Sequence, residues 1–349
     1  MPAEPRQDAV EIRKAIWRVL GDGLPVVVTS HMRLDGDAVG SALALWHGLT
    51  AKGVRAYHLF QPAGQPEPPQ GRELLAPTPS MFGFLKGLEC CLRDPAELPP
   101  SYNLVVIDCG GFDRLGELGP RLTGSVRTVN IDHHDSNACF GDLNYVDPMA
   151  SSCGEMVYEL LRDGGVPLTA DIADCLFTAI VTDTGQFSYE HTTPEALSIC
   201  AECMRAGTQP YELMRRLFMS PSPGQVKLRH LALGTLRFHG EGRIATMTVT
   251  EEMFRQTGLG PADTEGFAEI PIAIQGVQAS ALLKEMPGCD YIKVSMRSRE
   301  SVDVCRVAQA FGGGGHVRAA GCEIRDGLEN VRETVAGRLE LALRSGPEG

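Results

Sequence analysis

No stretch of this 349-residue sequence approaches the roughly 20 apolar residues that a helix needs to cross a bilayer. Its opening residues, Met1 to Arg6, lack the charged segment and apolar run of an export signal, so a cytoplasmic protein without membrane contact is the expectation. Positive charge is also scarce. Lys and Arg number 32 against 44 Asp and Glu, a formal net charge of −12, which argues against a long track along duplex nucleic acid because such binding rests on many cationic contacts to phosphates. A short or compact phosphate substrate is not excluded. A disulfide framework is missing too: the 11 cysteines are odd in number and scattered, as suits reduced and mostly buried thiols. Cys200 and Cys203 form a C-x-x-C, but with no second Cys or His pair nearby they read as a helix face and not as a zinc or redox site. No repeat of 20 to 50 residues and no coiled-coil heptad stands out, which leaves the choice between monomer and homodimer open.

What the sequence does have is the 43% hydrophobic and 22% charged content of a packed globular protein, in a chain long enough for two domains. Residues 8 to 20 carry the spacing of an amphipathic helix. Leu24 to Ser30 is a short apolar run ending in polar residues, a buried strand that delivers a loop. The same pattern recurs at Leu104 to Asp108 and Val126 to Asp132, while Ser41 to Trp46 opens a helix. Strands alternating with helices predict an α/β fold on a parallel sheet, in which reactive groups collect beyond the carboxyl ends of the strands. The stretch from Pro62 to Ser80 reads as an irregular surface loop. Ser220-Pro221-Ser222-Pro223-Gly224 breaks the helical pattern, and strand-like segments follow at Arg243 to Val249 and Tyr291 to Met296. The division expected is a first domain over residues 1–205, a linker over 206–228 and a smaller α/β domain over 229–345.

Each apolar strand of the first half is followed at once by His or Asp. The first cluster holds His31, Asp35 and Asp37, with Gly36 letting the backbone turn between the acids; Asp108, the triplet Asp132-His133-His134, and Asp183 follow. A lone Asp after a strand is usually a cap or turn residue, and a lone His is usually structural. The joint pattern is different, because gathering this many acids without a cation costs severe repulsion and desolvation. Carboxylates and imidazoles without thiolates suit a hard to borderline divalent ion, Mn²⁺ first, with Mg²⁺ or Co²⁺ as options. Phosphoryl chemistry favours two such ions roughly 3.5–4 Å apart.

The pattern His31-x-x-x-Asp35-x-Asp37-Ala38-x-Gly40-Ser41, with Asp132-His133-His134, resembles the DHH phosphoesterase superfamily. Ala150 to Glu155 and Val181 to Phe187 look like its remaining motifs, and Phe311-Gly312-Gly313-Gly314-Gly315-His316-x-x-Ala319-Ala320-Gly321 looks like the DHHA1 signature. Cys153 departs from the pattern, where relatives usually carry a hydroxyl residue. The resemblance implies that His31, Asp35 and Asp108 hold one ion and that Asp37, Asp108, His133 and Asp183 hold the other. It gives His134 a substrate phosphate to face, with a share in proton transfer.

In the second half, Lys293, Arg297, Arg299, Arg306, His316 and Arg318 crowd together in an otherwise acidic chain. Resemblance to DHHA1 domains points to Arg297 and His316 as phosphate contacts, with Gly313, Gly314 and Gly315 cradling a nucleotide. The activity implied is hydrolysis of very short oligoribonucleotides, of 3'-phosphoadenosine 5'-phosphate, or of both, as in the stand-alone bacterial branch of that family. The alternatives are a linear or cyclic dinucleotide phosphodiesterase, a manganese-dependent inorganic pyrophosphatase, and a non-catalytic nucleotide-binding protein. A processive single-strand exonuclease is expected to carry added domains and a more basic surface.

Overall fold

The structure, a computed structural model, describes residues 7–60, 80–92, 94–264, 266–299, 302–315 and 317–345. His316 and nearly all of the Pro62 to Ser80 stretch lie outside these residues. The chain forms two compact units, Met1–Met219 and Ser220–Gly349.

The first unit opens with helix α1 (Gln7–Leu20), strand β1 (Val26–Ser30), helix α2 (Gly36–Ala51) and the short strand β2 (Ala56–His58). Strands β3 (Tyr102–Ile107), β4 (Ser125–Asp132) and β5 (Leu143–Val146) follow, and then helices α3 (Cys153–Asp163), α4 (Ala170–Asp183), α5 (Pro194–Ala206) and α6 (Pro210–Phe218). The sheet runs β2-β1-β3-β4-β5 with every pair parallel. Its central strands are apolar and wholly buried, as a parallel sheet covered on both faces requires. Alternation sorts their side chains: Val26, Val28, Val105 and Ile107 join the core beneath the long helices, while Val27, Leu104 and Val106 meet Leu115, Leu118 and Leu122 on the other face.

Two helices decide where the carboxyl ends of these strands lead. Asp35 caps α2 by accepting from the Ala38 N–H, and Thr169 caps α4 through the Ile172 N–H. The two helices pack so closely that a Cβ at Gly40 would lie 2.5 Å from the Cys175 carbonyl, and one at Gly36 would overlap the Thr182 side chain. Glycine at these positions brings the start of α2 against the end of α4, and so brings Asp37 towards Asp183.

The second unit has α7 (Pro223–Leu233), β6 (Arg237–His239), β7 (Ile244–Val249), α8 (Glu251–Thr257), α9 (Glu269–Ile272), β8 (Ala279–Glu285), β9 (Ile292–Ser298), α10 (Val304–Gln309), β10 (Gly314–Gly315), β11 (Ala319–Ile324) and α11 (Leu328–Ser345). Its sheet runs β10-β11-β9-β8-β7-β6, antiparallel except for the β7–β8 pair. Val331, Val335 and Leu339 of α11 cover one face, and Leu228 and Ala232 of α7 with Phe254 and Phe267 cover the other. Residues 206–228, expected as a linker, are largely helical. The Ser-Pro-Ser-Pro-Gly cluster ends one helix and starts another, because Ser222 forms a capping box with Gln225 and Pro223 sits in the first turn, where a missing N–H costs nothing. Among the described residues no helix is long and apolar enough to cross a membrane.

Candidate metal centre

The centre is assembled from five segments at the carboxyl edge of the first sheet. His31 follows β1, and Asp35 and Asp37 cap and begin α2. Asp108 follows β3, His133 and His134 follow β4, and Asp183 ends α4. Asp108 is the pivot. Its φ of 55° is left-handed, an uncommon conformation for a residue with a Cβ, and its N–H donates to the Ile131 carbonyl. This kink turns a buried carboxylate across the end of the sheet.

The distances tie the ligand-type atoms into one cluster. His31 Nε2 lies 3.2 Å from Asp108 Oδ2 and 3.8 Å from Asp35 Oδ2. His133 Nε2 lies 3.4 Å from Asp183 Oδ2, 3.8 Å from Asp108 Oδ1 and 3.9 Å from Asp37 Oδ2. Donor atoms come within 4.8 Å of one another in the sets His31-Asp35-Asp108, Asp37-His133-Asp183, Asp108-His133-His134 and Asp37-Asp108-Cys153. Asp108 belongs to three of the four.

Neighbouring groups aim these atoms. His133 Nδ1 is 3.3 Å from the Ala150 carbonyl, which can only accept, so this nitrogen carries a proton and Nε2 is the atom turned to the carboxylates. Asp37 is held by three donors: Ser41 Oγ at 2.7 Å, the Cys153 N–H at 2.7 Å and the Gly154 N–H at 2.9 Å. Two of them belong to the first turn of α3, whose positive end adds to the restraint. Cys153 therefore contributes its backbone, while its thiol lies 3.8 Å from Asp108 Oδ1. Burial, and then Asp37 and Asp108, push that thiol well above its usual range, so it stays protonated.

The ionisation of the cluster reveals a shortage of positive charge. Burial, and then Asp108, raise the Asp35 carboxyl to about 6, and burial with Asp108 and Asp183 raises Asp37 well above the ordinary carboxylate range. Burial opposes protonation of His133, yet Asp183, Asp37 and Asp108 overcome it and lift the imidazole to about 9. Asp108 also meets a burial penalty, which His31 and the two following histidines outweigh, so it stays ionised. Asp183 Oδ2 is buried with no hydrogen-bond partner. Acids that hold protons and a histidine that will not release one are what a cation would relieve. A donor set of carboxylate oxygens and imidazole nitrogens fits a divalent ion.

Three participants have roles that the sequence did not assign. Asp132, first of the triplet, is fully buried; its Oδ1 accepts from His134 Nδ1 at 2.8 Å and its Oδ2 accepts from Asn137. His191 Nε2 sits 3.8 Å from Asp183 Oδ2, brought back by a tight turn at Gln186 and Phe187, both at positive φ. Ser41 was visible only as part of the motif.

The expected phosphate contacts lie in the second unit. Arg297, on β9, gives Nε and Nη2 to Glu269 Oε1 at 3.0 and 2.9 Å. Arg318 donates to the Arg299 carbonyl, and Arg299 to that of Ile272. The glycine run is demanded by packing at two positions: a Cβ at Gly313 would overlap the Gly321 carbonyl, and Gly315 has a φ of 141°. The Gly313 N–H is already donated to the Ala308 carbonyl, and Gly314 and Gly315 pair with β11.

A model of the DHH family N-terminal domain matches residues 25–180, and the DHHA1 domain matches residues 242–341. A bifunctional oligoribonuclease and PAP phosphatase, NrnA, of Thermus thermophilus is 34% identical over 324 residues, 91% of each chain. The protein of the same name from Bacillus subtilis is 26% identical over 86% of this chain and 89% of its own. Among solved structures, an exopolyphosphatase-related protein from Bacteroides fragilis shares the fold with a TM-score of 0.84 at 23% identity, over 99% of this chain and 100% of its own.

Proposed function

The chain belongs to the DHH family, and on that premise we propose that it is a manganese-dependent phosphoesterase of very short oligoribonucleotides and of 3'-phosphoadenosine 5'-phosphate. The observation that carries this reading is the convergence of His31, Asp35, Asp37, Asp108, His133 and Asp183 in overlapping sets whose donor atoms lie within 4.8 Å of one another, with the buried Asp108 at their centre. The relatives named above, matched over most of their length, supply the substrate class.

His31, Asp35 and Asp108 would hold one ion, and Asp37, Asp108, His133 and Asp183 the other. A divalent pair supplies acidity to a water and neutralises charge on a phosphate ester. The remaining steps fall to the chain's own residues. His134 gives its Nδ1–H to Asp132, which fixes the plane of the ring and favours the protonated imidazole against the burial that opposes it. When protonated, the ring carries on Nε2 a second proton to offer to a phosphate oxygen or to the departing ester oxygen. Arg297 and the glycine-rich hairpin are assigned to the phosphate that is not cleaved; to take that role Arg297 must exchange Glu269 for the substrate.

The test is direct. Metal-stripped protein is given Mn²⁺ and, in parallel, a 5'-labelled RNA dinucleotide, 3'-phosphoadenosine 5'-phosphate and pyrophosphate, beside Asp108→Ala and Arg297→Ala. Turnover of the first two substrates, abolished in Asp108→Ala, is expected. In Arg297→Ala the Michaelis constant is expected to rise while Mn²⁺ affinity holds. Turnover of pyrophosphate alone would overturn the substrate assignment, and an unchanged Michaelis constant would overturn the role of Arg297.

A further inference from the structure

The second unit contains a cationic cavity that the proposed chemistry does not use. It measures about 320 Å³ and lies where α7 turns into β6 beside the start of α11, lined among others by Thr235, Arg237, Thr248, Thr250, Glu329 and Arg332. The glycine-rich strand β10 forms one edge of the second sheet and β6 the opposite edge, so this cavity is separate from the hairpin assigned to the substrate.

Its central group is Arg332, whose side chain is only 4% exposed. Nη2 donates to Thr248 Oγ1 at 2.7 Å, and Nη1 lies 3.0 Å from Glu329 Oε1. Its Nε–H is buried without any partner. A guanidinium stays charged in proteins, and a buried donor left unmade is costly, so the site is short of an acceptor. Arg237 approaches from β6 and donates from Nη1 to Glu329 Oε2 at 2.7 Å. One carboxylate thus bridges two arginines. That carboxylate belongs to a side chain 59% exposed, free to turn out into water. Glu333, one turn further along α11, adds negative charge at longer range.

We propose that this cavity binds a small phosphate-bearing anion, with Arg237 and Arg332 as its ligands and Glu329 as the internal carboxylate it displaces. A tetrahedral dianion suits the two guanidiniums better than a single carboxylate, because it offers more charge and enough oxygens to reach the unpartnered Nε–H as well. Thr248 holds the Arg332 fork in place from β7. The same chemistry fits free phosphate and the monoester of a nucleotide.

The experiment follows the Arg332 side-chain Nε–H resonance in the full ¹⁵N-labelled chain, stripped of metal so that phosphate is not drawn to the first unit. Inorganic phosphate and adenosine 5'-monophosphate are titrated against chloride at matched ionic strength. Arg332→Lys identifies the resonance by its loss. A saturable shift is expected in the native chain, and Glu329→Gln, which removes the competing negative charge while keeping the length of the side chain, is expected to bind phosphate about tenfold more tightly. Tighter binding of the nucleotide than of phosphate would assign the site to nucleotides, and the reverse to the free anion. A resonance that neither anion moves, or a folded Glu329→Gln chain with native phosphate affinity, would overturn the proposal.

Discussion

At the scale of single residues, the centre depends on carboxylates whose orientation is fixed before any ion arrives. Asp37 is the clearest case, since Ser41 and the first two N–H groups of α3 take up its oxygens and leave it one direction to face. Removing one of three donors loosens this arrangement without abolishing it. Ser41→Ala is therefore expected to weaken Mn²⁺ binding by about tenfold, the lower end of what such supporting contacts contribute, with the fold intact by circular dichroism. Native Mn²⁺ affinity in that variant would show that the backbone of α3 suffices. His58 illustrates a different device. It is fully buried beside Trp46 and Phe60, and neither ring nitrogen has a hydrogen-bond partner. Burial, aided by His47, lowers it to about 4 from an ordinary value of 6.5. Because the folded value lies below the unfolded one, the unfolded chain takes up a proton that the folded chain refuses. The stabilisation is complete above pH 6.5 and is lost as the pH falls to 4, on the order of 3 kcal/mol. His58→Phe is expected to flatten denaturant midpoints of the first unit across that window; an unchanged pH slope would contradict it.

At the scale of elements, the site exists because two helices meet without side chains between them. Gly40 lets α2 lie against the backbone of α4, and an added methyl there meets the Cys175 carbonyl and the Ala179 N–H, neither of which can step aside. Gly40→Ala is expected to destabilise the first unit by about 1–3 kcal/mol, as overpacking does, and to weaken metal binding by separating Asp37 from Asp183. A thermal midpoint matching the native one would refute that account. Much of this was legible in advance. Apolar runs ending in His31, Asp108 and Asp132 announced parallel strands with a reactive edge, because several acids and imidazoles recurring at strand ends are costly to gather without a cation. The role of Asp132 was not legible: spacing cannot distinguish a ligand from the residue that aims it, and only the 2.8 Å contact to His134 does. His191 returns to Asp183 through a turn in which Gly185, Gln186 and Phe187 all have positive φ, and only the first is a residue type that announces it. The helices at Pro210 and Pro223 were masked because proline marks a helix start as readily as a break.

At the scale of the whole molecule, each of the two units carries its own core and its own anion chemistry. The first gathers acids that need a cation, and the second gathers arginines and a glycine hairpin, although the net charge of the chain is −12. A ligand that binds one unit stabilises that unit by mass action. Mn²⁺ at a hundred times its dissociation constant is expected to add about 2.7 kcal/mol to the first unit for each ion bound. The second unit, with no such cluster among its described residues, gains nothing directly. The measurement that tests the central claim most directly is the number of Mn²⁺ ions bound per chain, read by calorimetric titration of the metal-stripped protein and of Asp35→Asn, Asp183→Asn and Asp108→Asn. Two ions are expected in the native chain, one tight site lost in each of the first two variants, and both sites weakened together in Asp108→Asn. One ion in the native chain, or an Asp108→Asn variant that keeps two tight sites, would contradict a shared two-metal centre.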